Sequence, residues 1–312
     1  MRLAKRKKPC YWLLDSIFQS VLSQKLDRLT NCVPMMSPNP PVVISLKKSV
    51  VAQSSVATTL QKIPTQDVIG FPVCSLPFQM QVDRILQWAE ASISKVVCVA
   101  NVHMLMEAHW NDDFSQILKQ ADLLTPDGMP LVWMVSLLQK RRQERVAGMD
   151  LLLGICEGAK TQSVSLFFLG SDTRTLDQIK ARLDRDFPHV TVVGMSEMPR
   201  IEDMTAEEEE AVIQQVNAAN PGIVFVCLGC PKQEKWMHKN KHSVNAVMVG
   251  LGGAFSVFAG NTKWAPKFVR DSGLEWLYRC IQEPGRLWKR YASTIPPFIF
   301  LALKQVVSKP KN

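Results

Sequence analysis

The sequence contains no apolar run approaching the roughly 20 residues that a membrane-spanning helix requires. It also lacks a G-x-S-x-G nucleophile elbow, a Walker phosphate loop and any metal-like spacing among its five histidines. Its eight cysteines are scattered, and several lie inside apolar runs such as KVVCVA. That placement is typical of buried thiols in a reducing compartment, not of a disulfide framework. The absences argue against a membrane-spanning protein and a disulfide-stabilised secreted domain.

Charge is distributed unevenly along the 312 residues, whose formal net charge is +9. Residues 1–65 carry ten Lys/Arg against two Asp/Glu, and residues 261–312 carry ten against three. The segment between them carries seventeen against twenty-three, so a mildly acidic body has two basic ends. Basic ends indicate an anionic partner, which can be a phosphate group, a lipid surface or a nucleic acid. Solvated tails are the alternative.

The first 65 residues are predicted to be a poorly ordered extension. Residues 30–65 are rich in Pro, Ser and Thr, which is typical of a linker. Upstream, four apolar residues recur at helical spacing and favour an amphipathic surface helix over a cleaved signal: Tyr11, Leu14, Phe18 and Val21. A disordered N-terminus is the other interpretation.

Residues 66–261 alternate short apolar strands with amphipathic segments of about 10–15 residues. This alternation predicts an α/β core with a Rossmann-like, largely parallel sheet and helices on both faces. The stretch VHMLMEAHWNDDFSQILKQA is predicted to be helical, and MPLVWMVSLLQK to be a buried helix. Asp172 or Thr173, and Thr205, are predicted helix N-caps.

Residues 262–312 differ in character, because tryptophans and arginines alternate there with short apolar runs. We predict one or two basic amphipathic helices, separate from the sheet, that form a membrane-associating appendage.

Three strand ends carry polar or glycine-rich sequence, and ligands of parallel sheets bind at such ends. The first is TPDG, whose Asp127 can accept a proton from a hydroxyl group, although Pro-Asp-Gly is also ordinary turn sequence. The second is LGCPKQE, where a helix start follows Gly229 and offers Lys232 and Gln233 to a phosphate or a sugar. Cys227, just before this stretch, and Cys230 within it form a C-x-x-C that resembles a redox pair, an interpretation we do not favour.

The third strand end is VGLGGAFSVFAG. Gly250, Gly252 and Gly253 permit close backbone approach to a ligand, which we expect to be a diphosphate. Position 255 is Phe, so the G-x-G-x-x-G fingerprint of dinucleotide-binding proteins is incomplete.

Read in order, these strand ends resemble the WecG/TagA/CpsF family of glycosyltransferases. The motifs that carry the resemblance are PDG, ERVAG, G-x-PKQE and GLEWLYR, within a match over roughly residues 66–300. The resemblance implies an inverting transferase that moves a hexosyl group, such as N-acetylmannosamine, from a UDP-sugar to a sugar on a polyprenyl diphosphate. It also implies surface-polymer synthesis at the inner face of the cell membrane, with the enzyme cytoplasmic and peripheral, and possible homo-oligomers.

The resemblance assigns residue roles as well. It implies that Asp127 is the base, that Gln233 contacts the donor, and that Asn101 occupies a site position. Many members carry Thr two residues before that asparagine, where this chain has Val99, so a substrate-binding hydroxyl is absent.

In that context we expect Arg279 and Arg286 to meet the diphosphates and to stabilise charge on the departing UDP. Lys289 and Arg290 are further candidates for binding phosphate, and Trp276, Trp288 and Phe298 for the membrane interface. The alternative is that the aromatic residues pack on the core and the basic residues face water.

We expect neither a cofactor nor a metal ion, and no nucleic-acid partner. Two other functions remain open on the sequence alone: a dinucleotide-dependent oxidoreductase, and a non-catalytic nucleotide-binding protein on the same fold.

Overall fold

The computed structural model describes residues 62–308. It opens with an antiparallel hairpin of β1 (Thr65–Val68) and β2 (Phe71–Cys74). The two-residue turn between them places both Ile69 and Gly70 at positive φ, 48° and 92°. Positive φ at both positions matches the twist of an antiparallel pair, which is why such turns join hairpins.

The core is a six-stranded parallel sheet with the strand order β4-β3-β8-β7-β5-β6. Its strands are β3 (Lys95–Ala100), β4 (Leu123–Pro126), β5 (Ser165–Gly170), β6 (Thr191–Ser196), β7 (Ile223–Cys227) and β8 (Val247–Gly250). Most of these strands are apolar on both faces, as a covered parallel sheet requires. The predicted Rossmann-like α/β class is confirmed.

Helices connect and cover the strands. They are α1 (Phe78–Glu90), α2 (Val102–Trp110), α3 (Asp112–Lys119), α4 (Met129–Gln139), α5 (Gly148–Gly158), α6 (Thr173–Asp186), α7 (Ala206–Ala219), α8 (Lys232–Lys239), α9 (Ala254–Ala259), α10 (Lys267–Asp271), α11 (Glu275–Gln282) and α12 (Pro284–Ser308). One face of the sheet packs against α1, α5, α6 and α9, and the other against α2, α3, α4, α7, α8 and α12. The sheet therefore lies between two helical layers.

Helix caps refine the predicted boundaries. The side chain of Asn111 accepts a hydrogen bond from Phe114 N–H at 2.8 Å and so begins α3 one residue after α2 ends. The segment predicted as helical is therefore two helices, because an asparagine cap satisfies a new set of free N–H groups. The predicted caps of α6 by Asp172 and of α7 by Thr205 are confirmed.

Two helix predictions need correction. The predicted buried helix α4 exposes Trp133 and Leu137 on one side. The tail forms three helices rather than one or two, and α12 is not separate from the core: Phe298 and Ala302 pack into the apolar layer shared with α2. Gln305 of α12 also accepts a hydrogen bond from Ile69 N–H at 2.8 Å. Periodicity shows which side of a helix is apolar, but not what covers that side.

Among residues 62–308, no helix combines the length and the apolar character needed to cross a membrane. The predicted boundaries at residues 65/66 and 261/262 stay predictions, and most of the predicted N-terminal extension lies outside the described residues.

Candidate active site

The Pro-Asp-Gly turn lies at the carboxyl edge of the sheet, directly after β4. Asp127 N–H donates to Ala100 O at 2.8 Å, at the end of the neighbouring strand β3. Val146 N–H donates to Pro126 O at 2.9 Å, which ties the turn to the segment before α5. The turn is thus held from both sides, and Asp127 is presented where parallel sheets bind their ligands.

Asp127 has an electrostatic environment unlike that of a surface acid. Its side chain is half-buried, and desolvation by the surrounding protein is the main reason that its pKa rises to about 6. Arg145 and Arg279 lower the pKa, whereas Glu275 and Asp150 raise it. Within the described residues the carboxylate makes no hydrogen bond and no ion pair. A carboxylate of this kind is a stronger base than an ordinary aspartate.

The sequence analysis did not identify Arg145 as a site residue, although its charge acts on Asp127. Its Nη1 lies 2.5 Å from Glu275 Oε2 in α11, and its Nη2 lies 3.3 Å from Asp150 Oδ2 in α5. The motif ERVAG contains Arg145, and the family resemblance used that motif without giving this side chain a role. The sequence feature that could have pointed to Arg145 is its place in this motif between two helices. Its ion-pair partners can be identified only from the fold.

Asn101 lies against the Pro-Asp-Gly turn. Its side chain caps α2 by accepting from Met104 N–H at 3.2 Å. A Cβ placed on Gly128 would lie 3.6 Å from the Cβ of Asn101, so the two chain segments touch. Val99, two residues earlier, is buried in the apolar layer on one face of the sheet.

Gln233 is buried in the first turn of α8, and its amide lies across the glycine loop that follows β8. Its Nε2 donates to Glu234 Oε1 at 2.8 Å. A Cβ on Gly250 would lie 2.9 Å from Gln233 Nε2, and a Cβ on Gly252 would lie 3.3 Å from Gln233 Oε1. These two glycines were expected to admit a ligand. In the structure they make room for the glutamine amide.

Gly253 connects this loop to the C-terminal helices. A Cβ on Gly253 would lie 3.4 Å from Arg279 Nη2 of α11. Arg279 is partly buried, and within the described residues its Nε has no hydrogen-bond partner. The same side chain lowers the pKa of Asp127. Arg279 therefore lies beside the glycine loop and also acts on the charge of Asp127.

Arg290 of α12 acts on the charges of Glu234 and His103. Glu234 is fully buried and its pKa rises to about 7, mainly through burial, with Arg290 acting to lower it. Burial, with a contribution from Arg290, lowers the pKa of His103 in α2 to about 4, so this imidazole is neutral at pH 7. Sequence reasoning did not single out Glu234 or His103 as site residues.

For four predicted site residues, the described part of the structure shows no contact with Asp127 or with the glycine loop. Lys232 is half exposed and pairs with Glu202 at 2.5 Å, and Lys289 is exposed. Gly229 adopts φ +77° in an open turn, with no atom near its missing Cβ. Arg286 lies in the first turn of α12, and its side chain falls outside what the structure describes.

The C-x-x-C pair does not have the character of a redox centre. Burial raises the pKa of Cys227 to about 12 and that of Cys230 well above its usual value. A reactive redox thiol needs the opposite shift. In the part of the chain that the structure covers, the cysteines are free, and no group of three His, Cys, Asp or Glu is placed to hold a metal.

Comparisons with known proteins show the family of the chain. Residues 66–312 match the glycosyl transferase WecG/TagA/CpsF family. A protein of Bacillus spizizenii named N-acetylglucosaminyldiphosphoundecaprenol N-acetyl-beta-D-mannosaminyltransferase is 36% identical over 209 residues, 67% of this chain and 78% of the relative. A Bacillus subtilis protein of the same name is 32% identical over 223 residues, 71% of this chain and 84% of the relative. This chain belongs to the WecG/TagA/CpsF family of glycosyltransferases.

Proposed function

We propose that this glycosyltransferase moves an N-acetylmannosaminyl group from a UDP-sugar to N-acetylglucosamine on a polyprenyl diphosphate. The two relatives carry names that describe this acceptor and this transferred group. The observation that carries the catalytic part is Asp127, a carboxyl group at the carboxyl edge of the sheet with a raised pKa and Arg279 nearby. Neither the oxidoreductase nor the non-catalytic alternative is favoured by these similarities.

In the proposed reaction, Asp127 accepts the proton of an acceptor hydroxyl group. The freed oxygen attacks C1 of the donor sugar from the face opposite the diphosphate, and the bond from C1 to the UDP oxygen breaks. One displacement inverts the configuration at C1 and requires no covalent enzyme intermediate. Asp127 then releases its proton to water, and UDP departs.

Positive charge for the departing diphosphate comes from the C-terminal helices in this proposal. Arg279 is close to the glycine loop and to Asp127, and guanidinium groups pair well with phosphate oxygens. Arg286 is assigned the same role on the resemblance alone. Arg290, whose charge acts on Glu234 and His103, is assigned the second phosphate group or the sugar in this proposal. Turnover in excess EDTA tests the expectation that no metal ion is required.

Gln233 and Asn101 are proposed to orient the sugars. Gln233 is fixed by Glu234 and the two glycines, so its amide has a defined orientation. Asn101 borders the turn that carries Asp127. Fixed polar groups of this kind lower the entropic cost of bringing donor and acceptor together.

The decisive experiment uses purified protein, a panel of UDP-hexoses and a short polyprenyl diphosphate bearing N-acetylglucosamine. We expect UDP release and a disaccharide product with UDP-N-acetylmannosamine, and Asp127→Asn to lower turnover by about 10²-fold or more. Asp184→Asn, an exposed aspartate on α6, is the matched control. A wild-type protein inactive with every donor refutes the transfer, and an active Asp127→Asn variant refutes the base.

We also propose that the C-terminal helices bind the membrane surface that carries the acceptor. Trp276, Ile281 and Trp288 are exposed on α11 and α12, next to the exposed Lys289. Phe298, predicted to lie at the membrane interface, is instead 2% exposed and packs in the core. Aromatic and basic side chains on one helical segment are typical of interfacial binding. A peripheral cytoplasmic location and homo-oligomers remain proposals, which fractionation and analytical ultracentrifugation test.

A further inference from the structure

The guanidinium of Arg145 pairs with two carboxylates, and Asp127 is not one of them. Nη1 pairs with Glu275 at 2.5 Å and Nη2 with Asp150 at 3.3 Å. The side chains of Arg145 and Glu275 are only 15% and 20% exposed, so water weakens this pair less than it weakens a surface ion pair. Arg145 is nevertheless close enough to Asp127 to act on its charge.

The same network fixes the position of Glu275. Asp150 also pairs with Arg270 of α10 at 3.3 Å, and the guanidinium of Arg270 lies 3.7 Å over the ring of Trp264. The turn between α10 and α11 packs against α4, since a Cβ on Gly273 would lie 2.9 Å from Met129 Cγ. Glu275 follows this turn by two residues, so it is held beside Arg145 by contacts on both sides.

We propose that Glu275 is a positioning residue that holds Arg145 away from Asp127 and so keeps Asp127 available as the base. This inference rests on the proposed role of Asp127. An arginine that paired directly with Asp127 would stabilise the charged carboxylate and make it a poor proton acceptor. Glu275 prevents that pairing by binding Nη1 of Arg145, while Asp150 binds Nη2.

Among the described residues, several charged or titratable groups interact with Asp127. Arg145 and Asp150 come from the loop before α5 and from α5, Glu275 and Arg279 from α11, and Tyr291 from α12. Of these, only Glu275 and Asp150 are anionic, and both raise the pKa of Asp127. Removing the charge of Glu275 leaves Arg145 and Arg279 less opposed, so the pKa of Asp127 falls.

The test compares Glu275→Gln with the wild-type protein in two measurements. Carbon-13 NMR of protein labelled at aspartate carboxyl carbons, with Asp127 assigned through Asp127→Asn, gives its titration directly and does not depend on activity. We expect the midpoint in Glu275→Gln to move down by about one pH unit or more. The acid limb of kcat/KM moves with it, and kcat at pH 7.5 falls about tenfold because the base is weaker.

Three further variants separate this role from a merely structural one. Glu275→Asp keeps the negative charge, and we expect the midpoint of the Asp127 titration to stay close to its wild-type value. This variant also keeps the test usable if the Glu275→Gln protein folds poorly. In the Arg145→Gln background, Glu275→Gln shifts the midpoint much less, because the guanidinium is gone. Asp271→Asn removes a nearby exposed charge, paired with Lys267, and leaves the midpoint in place.

An unchanged Asp127 titration in Glu275→Gln overturns the inference, even if activity falls. The proposed transfer fails separately, through a wild-type protein that releases no UDP from any donor.

Discussion

The amide Nε2 of Gln233 lies 2.9 Å from the point where a Cβ on Gly250 would stand. The two residues belong to different elements, the first turn of α8 and the end of β8. Gly250 has an ordinary φ, so glycine is needed there for space and not for an unusual backbone conformation. The glycines of this motif therefore make room for the Gln233 side chain, and they affect a ligand only through the position of that side chain.

We expect Gly250→Ala to lower both stability and turnover, because the added methyl group displaces Gln233 or Met237. Overpacking of this kind costs about 1–3 kcal/mol. Thermal denaturation and steady-state kinetics measure the two effects. Gly285→Ala is the control, since no atom lies near its Cβ position. Equal melting temperatures and equal kinetics for Gly250→Ala and the wild type would contradict the packing argument.

The pH dependence of the free enzyme should report Asp127. Its pKa of about 6 predicts that kcat/KM falls about tenfold per pH unit below pH 6, because the protonated carboxyl cannot accept a proton. Kinetics between pH 5 and 8 measure this limb. The residual activity of Asp127→Asn should show no such limb. An acid limb that persists in Asp127→Asn would assign it to another group.

Asp127→Asn should also stabilise the folded protein at neutral pH. The folded pKa of about 6 lies above the ordinary value of 3.8, so the folded state binds the proton more tightly than the unfolded state. The contribution of Asp127 to stability is therefore greatest below pH 3.8 and is lost as the pH rises through 6. We expect a gain of about 1–3 kcal/mol for the variant at pH 7.5, shrinking towards pH 4. Urea denaturation at both pH values tests this, with Asp184→Asn expected to show no such pattern.

Lys232 and Gln233 are neighbours in sequence but should differ in importance. Lys232 forms an exposed pair with Glu202, and such pairs contribute little. Lys232→Ala should change kcat/KM by less than about threefold, whereas Gln233→Ala should lower it about tenfold or more. Assays at several donor concentrations separate the two variants. A large loss of kcat/KM in Lys232→Ala would indicate that Lys232 does contribute to donor binding.

Membrane binding should depend on Trp288, which is 69% exposed on α12. Trp288→Ala is expected to weaken sedimentation with anionic liposomes several-fold, because an interfacial aromatic anchor is lost. Trp110→Ala is the control: that residue is 54% exposed but ends α2, away from the carboxyl edge of the sheet. Equal binding by the two variants would argue against the C-terminal helices as the membrane-binding surface.

The sequence by itself determined the α/β class, most strands and helices, and Asp127 as the candidate base. Alternating apolar segments and the order of motifs along the chain are local signals, and local signals are readable without a fold. Only the tertiary structure decided that Arg145 meets Glu275 across 130 positions, that Gln233 rests on Gly250, and that Phe298 is buried while Trp288 is exposed. These relations join elements distant in sequence, and their energies depend on distance and burial, which no single stretch of residues specifies.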